Sequence, residues 1–231
     1  MYGQVLVYTG HCSLAYLNHL LPSLPLTGLS TESECTPCVG GMACDVQGME
    51  SPIRPCSPGY YCRLGANTTT PELGTNADVC PAGSYCPEMS TEPVPCPEGS
   101  YSPTPGLHTE EQCLNCTGGY YCNVTGLTSE VGQCDPRYYC PEGSHRIDEE
   151  ICPIGYYCPL ATQYPEPCRN GTWSNETGLM EVTECQPCTA GFYCNGFALT
   201  EPSGPCLEGY YCPTGSDLMT EVSGRVTSLV G

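Results

Sequence analysis

Lysine is absent from the 231 residues, and all six basic side chains are arginines: Arg54, Arg63, Arg137, Arg146, Arg169 and Arg225. Against 25 acids they leave a net charge of −19. That field repels a polyanion, so nucleic acid is excluded as a partner. Its plain use is solubility; no calcium-binding loop pattern accompanies it. Large apolar side chains are scarce too. Leu, Ile, Val and Phe total 37 residues, about 16%, and eight of the 19 leucines fall in the first 29 positions. Below about 20%, with a large net charge, a chain buries too little apolar surface to offset the ordering of its backbone. One large hydrophobic core is therefore excluded. Long apolar runs are missing as well: Pro22 and Pro25 break the stretch Met1–Leu29, and no basic residue precedes it. It makes a poor secretory leader, and it is too broken for a transmembrane helix.

What is present is cysteine, 22 of them, about one residue in ten. Such a count marks a disulfide scaffold, and disulfides persist in secretory and extracellular space but not in a reducing cytosol. Five Asn-x-Ser/Thr sequons, at Asn67, Asn115, Asn123, Asn170 and Asn175, point the same way as sites for N-glycosylation. Asn115 is the least favourable, because Cys116 fills its middle position.

The cysteines repeat. From Cys35 the successive gaps are 3, 6, 12, 6, 18, 6, 10 and 17; from Cys113 they are 3, 6, 12, 6, 12, 6, 10 and 17; from Cys185 they are 3, 6, 12 and 6. The units are 78 and 72 residues long, and one six-residue insertion between Cys62 and Cys80 accounts for the difference. Such self-similarity is the signature of a repeat architecture. The sequence divides into a partial, atypical opening repeat (1–34), repeat 1 (35–112), repeat 2 (113–184), a truncated repeat 3 (185–212) and a loosely ordered tail (213–231). The opening repeat would place a cysteine at Asn18; Cys12 stands six residues away and takes that role.

Inside the long unit lies a shorter template, Cys-x-x-Gly-x-Tyr-Cys. It opens at Cys38, Cys56, Cys80, Cys116, Cys134, Cys152, Cys188 and Cys206 and closes at Cys44, Cys62, Cys86, Cys122, Cys140, Cys158, Cys194 and Cys212. Arg137 is the one departure at the glycine, and Ala43 the one at the tyrosine. Two degenerate copies begin at Cys96 and Cys168 and carry Ser102 and Ser174 in the closing slot. Glycine permits φ > 0 in a tight turn, aromatic pairs supply packing surface over a disulfide, and prolines beside the cysteines keep segments extended. The expected fold is small and disulfide-rich: an elongated tandem array of short β-hairpins and turns with little helix. Cys96 and Cys168 lack local partners, which points to Cys96–Cys113 and Cys168–Cys185. The remaining cysteines form even sets. Local pairs such as Cys56–Cys62 and Cys134–Cys140 fit, but so does an interlocked scheme such as Cys116–Cys134 with Cys122–Cys140, because spacing alone never sets connectivity.

The runs CPEGSYSPTPGLHTEEQCLNC (from Cys96) and CRNGTWSNETGLMEVTECQPC (from Cys168) resemble the ephrin type A/B receptor-like cysteine-rich module. The Cys-x-x-Gly-x-Tyr turn is more loosely similar to tumour-necrosis-factor-receptor cysteine-rich domains. The resemblance spans about Gly28 to Cys212 and implies a cell-surface or secreted multidomain protein. It carries over no catalytic or ligand-binding residue.

Rival chemistries fit less well. Cys35/Cys38, Cys113/Cys116 and Cys185/Cys188 have the spacing of zinc half-sites or redox dithiols. Zinc would leave most cysteines unexplained, and a dithiol needs a βαβ scaffold to lower its thiol pKa. His11, His19, His108 and His145 share no repeat position, Asp148–Glu150 is an acidic turn, and Trp173 stands in the slot of Tyr101. No enzyme, metal or cofactor is expected. Two functions remain: an extracellular structural spacer joined to neighbouring domains of a longer polypeptide, or a receptor-type module binding a protein ligand. Apolar residues outside the template would favour binding, and Met180, Phe197 and Leu199 are the nearest candidates.

Overall fold

The computed structural model describes residues 38–44, 54–72 and 77–220. Cys12, Cys35, His11, His19 and the opening segment 1–34 lie outside them, as does 221–231. The chain forms two compact units: Met1–Leu114 with Thr125–Ser129, and Asn115–Val124 with Glu130–Gly231.

Both units use one building step. The two residues before the closing residue of a template form a short strand, and their partner is the pair of residues before the next template's opening cysteine. In the first unit Met42–Ala43 pairs with Arg54–Pro55, Tyr60–Cys62 with Ala77–Val79, and Ser84–Tyr85 with Val94–Pro95, all antiparallel. In the second, Tyr120–Tyr121 pairs with Gly132–Gln133, Tyr138–Tyr139 with Glu150–Ile151 and Tyr156–Tyr157 with Glu166–Pro167. Thr172–Trp173 with Gln186–Pro187 and Phe192–Tyr193 with Gly204–Pro205 complete it. Aromatic and β-branched residues favour the extended strand. Proline sits at strand ends, where no ladder hydrogen bond is asked of it. Helix is confined to single 3₁₀ turns, Glu110–Gln112 and Val182–Glu184, among the described residues.

A two-stranded hairpin is marginal alone in water. Here disulfides form the interior: the template cysteines from Cys38 to Cys194, together with Cys212, are all buried. Around them sit small pockets of apolar contact rather than one core. Tyr60 packs on Cys56, Cys62, Ala66 and Ala77; Tyr157, Cys168, Leu179 and Cys185 form another cluster. The fold is a small, disulfide-rich tandem hairpin array.

Candidate functional site

Ten disulfides staple the described residues. Eight close the template locally, from Cys38–Cys44 through Cys56–Cys62, Cys80–Cys86, Cys116–Cys122, Cys134–Cys140, Cys152–Cys158 and Cys188–Cys194 to Cys206–Cys212. The other two, Cys96–Cys113 and Cys168–Cys185, span 17 residues. Of the two schemes left open by spacing, the structure adopts the local one. Each described Cys-x-x-Cys pair is split between different bridges, Cys113 from Cys116 and Cys185 from Cys188. Neither is a dithiol or a free metal half-site.

The repeating feature with functional content is the junction between successive hairpins. At each junction inside a unit, the template glycine N–H donates to the carbonyl of the next closing residue, as in Gly59 to Cys86 (2.8 Å) and Gly155 to Ser174 (2.9 Å). The same glycine's carbonyl accepts from the next opening cysteine, as in Cys80 to Gly59 (2.8 Å) and Cys168 to Gly155 (2.9 Å). Two further bonds come from the turn that follows the next closing residue. Cys62 N–H donates to Ser90 (2.9 Å) and Met89 N–H to Cys56 (3.0 Å); Cys158 donates to Leu179 and Gly178 to Cys152 (both 2.8 Å). Each hairpin's backbone groups are thus satisfied by its neighbour in the chain.

The template glycine therefore does more than close a turn. A Cβ at Gly41, Gly59, Gly83, Gly119, Gly155 or Gly171 would come within 3 Å of a backbone carbonyl two templates further on, at Met89, Gly106, Gly126, Ala161, Ala198 and Gly215 respectively. Arg137 keeps the left-handed backbone (φ +79°) without being glycine. Its N–H still donates to Cys158 (2.9 Å), while its Nη1 donates to the Gly178 carbonyl (2.9 Å) that a tight approach would have occupied. Its Nη2 lies 3.8 Å from Glu184.

A second recurring slot escaped the sequence reading. The turn residue three or four positions after the closing slot also has positive φ: Gly65, Met89, Gly106, Gly126, Gly143, Ala161, Gly178, Ala198 and Gly215. The next residue is buried or partly buried and supplies the junction carbonyl, as Ala66, Ser90, Leu107, Leu127, Ser144, Thr162, Leu179, Leu199 and Ser216 do. Two side-chain solutions serve this slot. In Cys-Pro-x-x-Ser/Thr turns the hydroxyl donates back to the proline carbonyl, as Ser144 to Pro141 and Thr162 to Pro159 (both 2.7 Å). Leucine fills it at 107, 127, 179 and 199, and Ala66 once. The recurrence of Gly-Leu and Cys-Pro-x-x-Ser/Thr was the available signal. Pro213–Thr220, assigned to the tail by sequence, carries such a turn: Gly215 N–H donates to Cys188 (2.8 Å) and Cys194 N–H to Ser216 (2.9 Å).

In the degenerate copies Ser102 and Ser174 are buried and hold the place of the missing cysteine. Their Oγ atoms accept from Thr104 N–H (3.3 Å) and Glu176 N–H (3.2 Å). The freed 17-residue loop inserts Leu107 and Leu179 beside Tyr85 and Tyr157. The Tyr157 hydroxyl donates to Glu166 (2.6 Å), and that bond, with burial, raises the phenol pKa; Tyr85, near Glu110, is raised chiefly by burial.

The remaining sequence candidates are dispersed. His108 and His145 are exposed, and Glu149 accepts from the backbone of His145 and Arg146 within an acidic turn. Trp173 keeps its indole N–H buried with no partner among the described residues. All five sequon asparagines are exposed. Asn115 Nδ2 donates to Glu142 (3.2 Å), and Asn170 Oδ1 accepts from Gly196 N–H (3.0 Å). Phe197 is 63% exposed, whereas Met180 and Leu199 are partly buried. Among the described residues, no helix is long and apolar enough to cross a membrane.

Disulfides at this density define an extracellular-type cysteine-rich array. No protein-family model matches the chain, and no curated protein matches it either.

Proposed function

We propose that this chain is a non-catalytic structural spacer within a larger secreted or cell-surface glycoprotein, built from modules of the ephrin type A/B receptor-like kind. One observation carries the reading. The same four backbone hydrogen bonds, between 2.7 and 3.1 Å, recur at every junction inside each unit. Stability in such a chain is a sum of hairpins and nearest-neighbour junctions, which is the physics of a solenoid. An element of that kind sets a distance between other domains, and its exposed sequons and excess of acids keep it solvated. Small-angle scattering tests it: an extended profile is expected, and a compact globule would overturn the spacer. The second reading, a module that binds an extracellular protein, draws on exposed aromatics outside the template, Tyr164 (70%) and Phe197 (63%). A saturable partner lost in Tyr164→Ser and Phe197→Ser variants would favour it over the spacer.

A further inference from the structure

We infer that the outer face of the Cys206–Cys212 turn is a docking surface for one further Cys-x-x-Gly-x-Tyr-Cys module tethered to the same polypeptide. The inference rests on the array reading above and adds where the array is open and what closes it.

Three independent features of this face depart from the rest of the array in the same direction. The first is space. The template glycines from Gly41 to Gly171 are buried, and a Cβ on the six named above would strike a carbonyl two templates on. Gly191 and Gly209 are exposed, and among the described residues no atom lies within 4 Å of where their Cβ would stand. Both nonetheless keep the same strained-for-others backbone, φ +87° and +86°. The left-handed turn is kept with no described carbonyl against it, and for Gly191 the template two further on is the one that would follow Cys206–Cys212.

The second feature is hydrogen bonding. At Gly191 the N–H donates to Cys212 (2.9 Å) and the carbonyl accepts from Cys206 (2.9 Å), as the template requires. At Gly209 the equivalent N–H and carbonyl, together with the Cys212 N–H and the Cys206 carbonyl, make no such junction bond among the described residues. These four groups are the four that every described junction inside a unit uses.

The third is apolar surface. The other template tyrosines are partly or wholly buried, but Tyr210 is 44% and Tyr211 52% exposed.

The open approach at Gly191, the Gly209 junction groups with no such bond among the described residues and the half-exposed tyrosines together describe one occupant. It is a hairpin offering a closing-residue carbonyl, an opening-cysteine N–H and a left-handed turn with a small or apolar residue after it. Continuity with the established junctions supplies the source, since within a unit each partner is the next module in the chain. A tether also raises the effective concentration to the order of millimolar, enough for four exposed hydrogen bonds that a free module would have to compete for with water.

The test replaces residues 224–231 by a copy of residues 206–219, so that its first cysteine stands twelve positions after Cys212, the spacing between several existing templates. Amide hydrogen exchange is then compared with the unextended chain. The Gly209 and Cys212 amides are expected to slow by at least about tenfold, towards the rates of Gly191 and Cys194. A second extension, copied from residues 134–147, guards against one graft failing to close its disulfide, which intact mass reports. Unchanged exchange at Gly209 beside a closed graft disulfide would overturn the inference. Protection that instead rises with concentration in the unextended chain would also overturn it, in favour of a second copy. If Gly191 and Cys194 exchange freely in the unextended chain, the array reading fails instead.

Discussion

Gly155 holds φ at +79°, and its missing side chain leaves room for the Ala198 carbonyl. Gly155→Ala meets two penalties at once: the left-handed backbone, about 1–2 kcal/mol for any residue with a Cβ, and the displaced junction. We expect a loss of about 2–4 kcal/mol in denaturant unfolding. Arg137→Gly is the informative counterpart. Removing the Cβ relieves about 1–2 kcal/mol of backbone strain. It also forfeits the bond to Gly178, worth about 1 kcal/mol, and loosens the unfolded chain by about as much. The net change should lie within about 1 kcal/mol of zero, measured the same way. A large loss would mean that Arg137 supports the junction far beyond that one bond. Titration acts at this scale too. The Arg63 guanidinium, bonded to Glu92 at 2.8 Å, holds the Glu92 carboxyl below its ordinary range. A lowered carboxyl pKa contributes stability above the ordinary carboxylate range and loses it as pH falls through the lowered value. Carboxyl NMR titration should therefore show the Glu92 midpoint rising in Arg63→Gln. The pair is exposed, so salt should shrink the difference.

At the scale of the element, hairpins and loops differ in what their disulfides do. A six-residue bridge removes less freedom from the unfolded chain than a 17-residue one. The loop-entropy model gives about 2 kcal/mol for a template bridge such as Cys134–Cys140 and about 3 kcal/mol for Cys168–Cys185. Paired Cys→Ala variants compared by denaturant unfolding should keep that order. The long loop also depends on Leu179, buried against Tyr157, Cys168 and Cys185. Leu179→Ala should cost about 2–4 kcal/mol, with hydrogen exchange increasing first at Cys158, whose N–H donates to Leu179. The Tyr157–Glu166 bond adds an alkaline limit. A raised phenol pKa stabilises below the ordinary tyrosine value and is lost as pH rises through the raised one. Difference absorbance should show Tyr157 ionising late, and Glu166→Gln should bring it earlier.

Taken across the whole molecule, stability comes from covalent closure plus local junctions instead of a shared interior. Intact mass before and after reduction and alkylation should show at least the ten described bridges. Reduction should abolish native hydrogen-exchange protection, because about 16% Leu, Ile, Val and Phe cannot replace the bridges. A junction variant such as Gly155→Ala should raise exchange in the adjoining hairpins and leave distant ones unchanged. Uniform loosening across the chain would contradict nearest-neighbour stability.

Much of this architecture was written in the spacing of the residues. The 3, 6, 12 and 6 gaps announced the repeat, and the serines at 102 and 174 directed Cys96 and Cys168 to partners 17 residues on. Poverty in large apolar residues excluded a single core, and glycine at the fourth template position required a left-handed turn. Those features are legible because composition, φ and cysteine parity are properties of one residue or one short segment. Three-dimensional packing alone chose the local pairing over the interlocked one, since both schemes satisfy parity. It alone gave the template glycine its second duty, admitting a carbonyl from two modules away, and the turn residues Met89, Ala161 and Ala198 a left-handed backbone that their side chains do not advertise. It alone distinguished Gly191 and Gly209 from their identical counterparts. A contact between segments about 45 residues apart leaves no local mark in sequence, because what selects glycine there is the neighbour it must admit.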